Sequence, residues 1–179
     1  MLCLCGAVGH ANEATRPRGS VPPLTTITRL DVPRCLGTWY EIAKFPNAFQ
    51  KKCAADTRAD YSLRPDGQLQ VVNRCLQEKG DVADVVGAAR QIGDKSSPRL
   101  EVRFAPAWLS FVPFVWGDYW VIDLDPAYQL AAVREPRREC PWVLSRTPNV
   151  DPAAYAGPLE RLASQGFDIR RLQKTEQRP

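Results

Sequence analysis

"CLGTWYEIAKF", residues 35–45, sets a glycine and a tryptophan two apart at the head of a strand-like run. Successive side chains of a strand point to opposite faces, so an inward Trp39 carries Glu41, Ala43 and Phe45 to the same side. Outward from this stretch the period of two recurs in short runs, divided by turn signals at roughly 8–12-residue spacing. The runs span about 37–45, 54–64, 68–77, 81–91, 98–104, 117–124, 128–134 and 140–146, which makes eight strands. "RPDGQ", 64–68, holds the best hairpin signal, because Asp66 and Gly67 tolerate the positive φ of a tight turn. "DPAAYAGPLERLASQG", 151–166, then changes period: Asp151 can cap a helix, Pro152 fits its first turn, Tyr155, Leu159 and Leu162 share a face, and Gly166 can end it. Pro158 lacks the N–H an interior position needs, which predicts a kink or two short pieces.

Eight sequential strands with one trailing helix fit an all-β fold: an eight-stranded antiparallel up-and-down β-barrel with a C-terminal α-helix packed outside. Closure removes the edge strands, and eight strands leave room for side chains or one small ligand. Inward parity selects Ala59, Tyr61 and Leu63; Leu69, Val71 and Asn73; Val85, Gly87 and Ala89; Leu100, Val102 and Phe104; Tyr119 and Val121; and Trp142 and Leu144. Several of these are alanine or glycine where a filled core would use branched bulk. That predicts a cavity walled by aromatics.

A chain of 179 residues is most simply one domain, burying roughly 70% of the surface its unfolded form exposes. The net charge of +4 is spread along it, and the densest patch, "REPRRE" at 134–139, carries its own glutamates, so nucleic acid is not an expected partner. Cysteines at 3, 5, 35, 53, 75 and 140 form no CxxC pair and no zinc-ligand spacing; disulfides are expected and a metal is not. Residues 1–11 read as a truncated export signal with a small-residue cleavage region near Gly9–Ala11, and Cys5 followed by Gly6 leaves a lipid-modified cysteine open as an alternative. Residues 12–34, with Pro17, Pro22, Pro23 and Pro33, read as an extended lead-in, 35–173 as the barrel with its helix, and 174–179 as a tail. The single histidine, His10, precedes the barrel, and Glu41 is the one carboxylate with a firm inward assignment, so no catalytic residue and no cofactor is expected.

"GTWYEIAKF" at 37–45, "GDYWVIDLDPAY" at 117–128 and "WVLSRTP" at 142–148 resemble, in order and spacing, the three signature regions of the lipocalins, with wording like that of the bacterial outer-membrane and apolipoprotein-D-like members. The resemblance covers about residues 30–173. It implies that Trp39 plugs the closed end of the barrel, that Arg146 lies over it, and that Gly37 permits close approach; these are structural roles. It also implies a small hydrophobic ligand, with fatty acid or lysophospholipid as the expected class, carried or stored in support of the cell envelope. The expected contacts are Phe45, Ala59, Tyr61, Leu63, Val71, Asn73, Val85, Leu100, Val102, Phe104, Tyr119, Val121 and Trp142, with Arg134 near the mouth as a headgroup partner. An interaction module, a lipocalin-type enzyme or a pigment binder on the same barrel are the alternatives; a tyrosine-ligated haem stays open because the barrel has no histidine.

"APAWLSFVPFVWG", 105–117, carries Trp108, Leu109, Phe111, Phe114 and Trp116 without a charge and reads as a lid, a membrane-touching tip or a dimer contact. The protein is expected as a monomer or weak homodimer. Cys53 opens the second strand and Cys75 closes the third, so both fall near the mouth within bridging reach if a bulge adjusts the register. Cys35 belongs to the opposite end and Cys140 is the competing partner. A disulfide here matches an exported, periplasmic or outer-membrane-associated protein.

Overall fold

The computed structural model describes residues 24–48, 50–106, 115–136 and 139–178. A single turn of helix, α1 (Val32–Cys35), precedes β1 (Gly37–Lys44), β2 (Cys53–Leu63), β3 (Leu69–Gln77), β4 (Val82–Gln91), β5 (Arg99–Arg103), β6 (Gly117–Leu124), β7 (Leu130–Arg134) and β8 (Trp142–Ser145); α2 (Pro152–Ser164) and the short β9 (Gln173–Lys174) follow. Each strand from β2 to β8 pairs antiparallel with the next, and β1 pairs with both β8 and β2, which closes the barrel. The eight strands expected from the sequence fall within two residues of their predicted ends. At the β2–β3 hairpin, Gly67 takes φ +77° and the Asp66 carboxylate accepts the Gln68 N–H at 3.0 Å, the turn chemistry that the pair Asp66-Gly67 promises.

The closed end is organised by one guanidinium. Arg146 lies 4.2 Å over the Trp39 ring and donates to the carbonyls of Thr38 (3.0 Å), Arg34 (2.7 Å) and Tyr128 (3.3 Å), while the Trp39 indole N–H donates to the Cys35 carbonyl at 2.8 Å. Arg34 in turn covers the Tyr128 ring at 3.8 Å. One side chain thereby joins β1, the β6–β7 turn and α1, which covers the barrel floor. Gly37 sits at φ +93°, a backbone conformation that calls for glycine, and a Cβ there would touch the Arg146 guanidinium at 3.4 Å.

Two apolar layers result. Inside the barrel, Trp39, Leu69, Val71, Leu100, Val102, Val121, Val133 and Leu144 pack with Leu30 from the lead-in. Outside, Ala43, Phe45, Ile122, Ala132 and Val143 meet Leu162 of α2 and Phe167 beyond it. The Asp151 side chain accepts N–H bonds from Ala153 and Ala154, and α2 runs unbroken through Pro158. Pro158 and Leu162, one turn apart, are the buried residues of the helix, so packing offsets the bond that proline cannot make.

The last residues form part of the wall. β1 and β2 are paired only from Gly37–Tyr40 against Tyr61–Arg58. Above that seam β9 pairs with Ala43 and Lys44, the Thr175 N–H donates to Ile42, and the Glu176 carbonyl accepts from Asp56. The Gln177 amide then donates to the Glu41 and Thr57 carbonyls at 2.8 and 2.9 Å, and Arg178 forks onto Asp56. The stretch read as a tail is stitched between two diverging strands.

Cys53 and Cys75 form a disulfide across the open end, with Cα atoms 5.5 Å apart, and the β2–β3 ladder shifts register between Cys53 and Ala55 as the bridge requires. Among the described residues Cys35 carries the free thiol, its pKa pushed up to about 11 by burial.

Two measurements check these interactions. Arg146→Ala is expected to lower unfolding stability by about 1–3 kcal/mol in urea titrations through lost stacking and orphaned carbonyls, with ligand binding unchanged. An equal midpoint for the variant would remove the floor from the account. Reduction of Cys53–Cys75 is expected to cost about 3 kcal/mol in the same titration, the chain-entropy value for a loop of this size.

Candidate functional site

Above the floor the barrel encloses a cavity of about 490 Å³, open at the end opposite Arg146. The lower wall is apolar and aromatic: Trp39, Ala59, Tyr61, Val71, Val102, Phe104, Tyr119, Val133, Trp142 and Leu144. Toward the rim the lining turns polar, with Lys52, Arg58, Arg74, Gln77, Asp118 and Glu135 beside the Cys53–Cys75 bridge. Arg58 and Arg74 share Asp60 at 3.8 and 2.9 Å, whereas Lys52 has no ion-pair partner among the described residues.

One wall holds a buried carboxylate. Glu41 is 3% exposed; it pairs with Lys44 at 2.9 Å, accepts from the Thr175 hydroxyl at 2.6 Å and from the Gln50 amide at 2.6 Å. Gln50 also receives the Trp142 indole N–H at 3.4 Å. With its charge compensated and both oxygens bonded, Glu41 is a fixed structural group rather than a free proton acceptor. Beside it Thr57 lines the cavity, and its hydroxyl is buried without a hydrogen-bond partner among the described residues.

Tyr61 of β2 and Tyr119 of β6 reach across the barrel, and the Tyr61 hydroxyl donates to that of Tyr119 at 3.1 Å. Both also line a second, smaller void of about 50 Å³ beneath, together with Leu30, Val32, Cys35, Leu69, Leu100 and Val121. Burial pushes the Tyr61 pKa up to about 12 and raises that of Tyr119 well above its ordinary value, so both hydroxyls stay neutral at physiological pH.

Of the contacts expected from the sequence, Ala59, Tyr61, Val71, Asn73, Val85, Val102, Phe104, Tyr119 and Trp142 line the main cavity, and Leu100 and Val121 line only the void below the tyrosines. Three are elsewhere. Phe45 packs edge-on to Phe167 at 6.2 Å in the outer layer, because a bulge between Glu41 and Ala43 in the β1–β8 ladder reverses the parity that Trp39 sets; Ala43 moves out with it. Leu63 is 49% exposed, since β1 begins opposite Tyr61 and the residues beyond pair with β3 alone. Arg134 is fully buried on the outside of β7, its guanidinium 5.3 Å from Trp120 and 5.7 Å from Phe167, because Val133 takes the inward position. Gly87, also expected inward, is not part of the lining: a Cβ there would lie 2.7 Å from the Arg103 carbonyl and 2.7 Å from the Phe104 ring, so the glycine lets β5 approach.

Sequence reasoning missed Gln50 and Lys52, which come from the β1–β2 connection, and Thr57, which lies two residues before Ala59 on the same face of β2. The period of two that selects Ala59 and Tyr61 also reaches Thr57, and that was the available signal. Residues 107–114, with Trp108, Leu109, Phe111 and Phe114, lie outside the described residues, as do Cys3, Cys5, His10 and the rest of the segment read as an export signal. The flanking Trp116 lines the cavity between Arg90, at 4.1 Å, and Arg103, at 5.2 Å.

Comparison with known proteins agrees with this geometry. Residues 30–177 match the family model described as a lipocalin-like domain. Temperature-induced lipocalin-1 of Arabidopsis thaliana is 40% identical over 156 residues, 86% of this chain and 83% of that protein. Outer membrane lipoprotein Blc of Escherichia coli strain K12 is 37% identical over 162 residues, 90% of this chain and 85% of its own. The crystal structure of the allergen Per a 4 from cockroaches superposes with a TM-score of 0.69 at 19% identity, covering 86% of this chain and 93% of that one, a likeness of fold alone. A floor built on Trp39 and Arg146, a cup above it and a family match across the whole barrel lead to one assignment: the chain belongs to the lipocalins.

Proposed function

We propose that this protein binds and carries or stores a single-chain amphiphile, a fatty acid or a lysophospholipid, with the acyl chain in the cup and the headgroup at the rim. The observation that carries the reading is the cavity itself: about 490 Å³, inside the range of roughly 300–1,000 Å³ typical of small-molecule sites, apolar below and polar at one open end. A linear amphiphile matches that gradient, and Lys52 takes the headgroup role first assigned to Arg134, as a rim cation free of ion pairing among the described residues. The similarity to a protein named an outer membrane lipoprotein supports an exported protein serving the cell envelope, and the Cys53–Cys75 disulfide fits an oxidising compartment. The role is non-catalytic, in keeping with a Glu41 carboxylate whose oxygens are already bonded.

Ala59→Trp tests it, because Ala59 lines the cup opposite Trp39 in the β1–β2 ladder and has room in front of it. In displacement of a fluorescent fatty-acid probe, the variant is expected to lose about tenfold or more in affinity while its thermal melt by circular dichroism stays cooperative. Undiminished binding in the folded variant would place the ligand outside the cup.

A further inference from the structure

We infer that the Tyr61–Tyr119 hydroxyl pair sets the length of the acyl chain that the cup accepts, an inference that rests on the carrier reading above. The two tyrosines come from opposite walls and meet in the middle of an apolar barrel, their hydroxyls 3.1 Å apart. With Trp39, Val133 and Leu144 they line both the main cavity and the void of about 50 Å³ beneath it, and their hydroxyl contact carries the partition across the shaft. Below them lie only apolar side chains, among them Leu69, Leu100 and Ala131, and the Cys35 thiol, which donates to the Asp31 carbonyl.

A chain descending from the rim therefore meets a closed shelf. To go further it must part the hydroxyls, and a methyl end offers no hydrogen bond in exchange. The void beneath is lined by apolar side chains apart from the Cys35 thiol, so parted hydroxyls find little on that side to replace the bond. Each methylene added to a ligand is favourable while it fills the upper cavity, because it removes apolar surface from water. The methylene that reaches the shelf gains little. The predicted signature is an affinity that climbs with chain length and then stops, at a length fixed by the pair rather than by the depth of the barrel. Phenylalanine at either position keeps the ring and its packing but removes the bond, so the shelf opens more cheaply and the void below becomes available.

The experiment is a series of saturated fatty acids of increasing length, titrated by displacement of a fluorescent probe from the intact protein, Tyr119→Phe and Tyr61→Phe. The stop is expected to shift to longer chains in both variants, with affinity for chains beyond the native stop raised about three- to tenfold. Ala131→Leu, which fills the lower void, is expected to leave the native series unchanged and, combined with Tyr119→Phe, to return the stop to its native length. A stop at the same length in the native protein and both phenylalanine variants, or no stop at all in the native protein, overturns the role of the pair. Absence of binding at every length in the native protein overturns the carrier reading instead.

Discussion

The contact between the Arg146 guanidinium and the Trp39 indole decides which end of the barrel is closed. The ring face accepts the cation at 4.2 Å, and the rest of the guanidinium is spent on three backbone carbonyls from three separate segments. A planar group with several fixed donors can do this where an ammonium could not. Gly37 holds a positive φ beside the guanidinium, α1 is drawn over the floor, and the interior packs upward from Trp39. With this end sealed, the opening has to be at the other.

The sealed end and the outer layer support a barrel that is hollow in its upper half. A cavity forfeits the dispersion contacts its lining would otherwise make, so the strands around it need stabilisation from elsewhere. They receive it at three places: α2 and Phe167 cover β6, β7 and β8 from outside, the Cys53–Cys75 bridge joins β2 to β3 at the rim, and residues 173–178 fill the seam where β1 and β2 separate. Glu41 ties that seam to the cup wall, bonded on one side to Thr175 and on the other to Gln50, which touches Trp142. Binding geometry and wall integrity therefore depend on the same few polar contacts.

The fold was legible because period-two alternation, Asp66-Gly67 and the glycine-tryptophan pair are local signals, and the barrel obeys them. The site was legible only where strands stay regular. Ala59, Tyr61, Val71 and Asn73 lie on paired, unbulged stretches, and parity carries through them to the cavity. Phe45 lies past a bulge, and one inserted residue sends every later side chain to the other face. Arg134 failed for a different reason: its placement came from family likeness to a strand near the mouth, while the neighbouring Val133 occupies the inward position and leaves the guanidinium to Trp120 and Phe167. The meeting of Tyr61 and Tyr119 spans 58 residues and depends on barrel closure, so no local pattern announces it.

The central claim is that an acyl chain occupies the cup with its methyl end toward the tyrosine shelf and its headgroup at the rim. Amide and methyl resonances of the isotope-labelled protein, recorded with stearate spin-labelled either near its carboxylate or near its methyl end, address that claim directly. The account predicts that the label near the methyl end broadens Ala59, Val71, Val102 and Tyr119, and that the label near the carboxylate broadens Lys52, Cys53 and Gln77. Broadening confined to the outer face, at α2 or at the exposed Val82 and Val86 of β4, would contradict it.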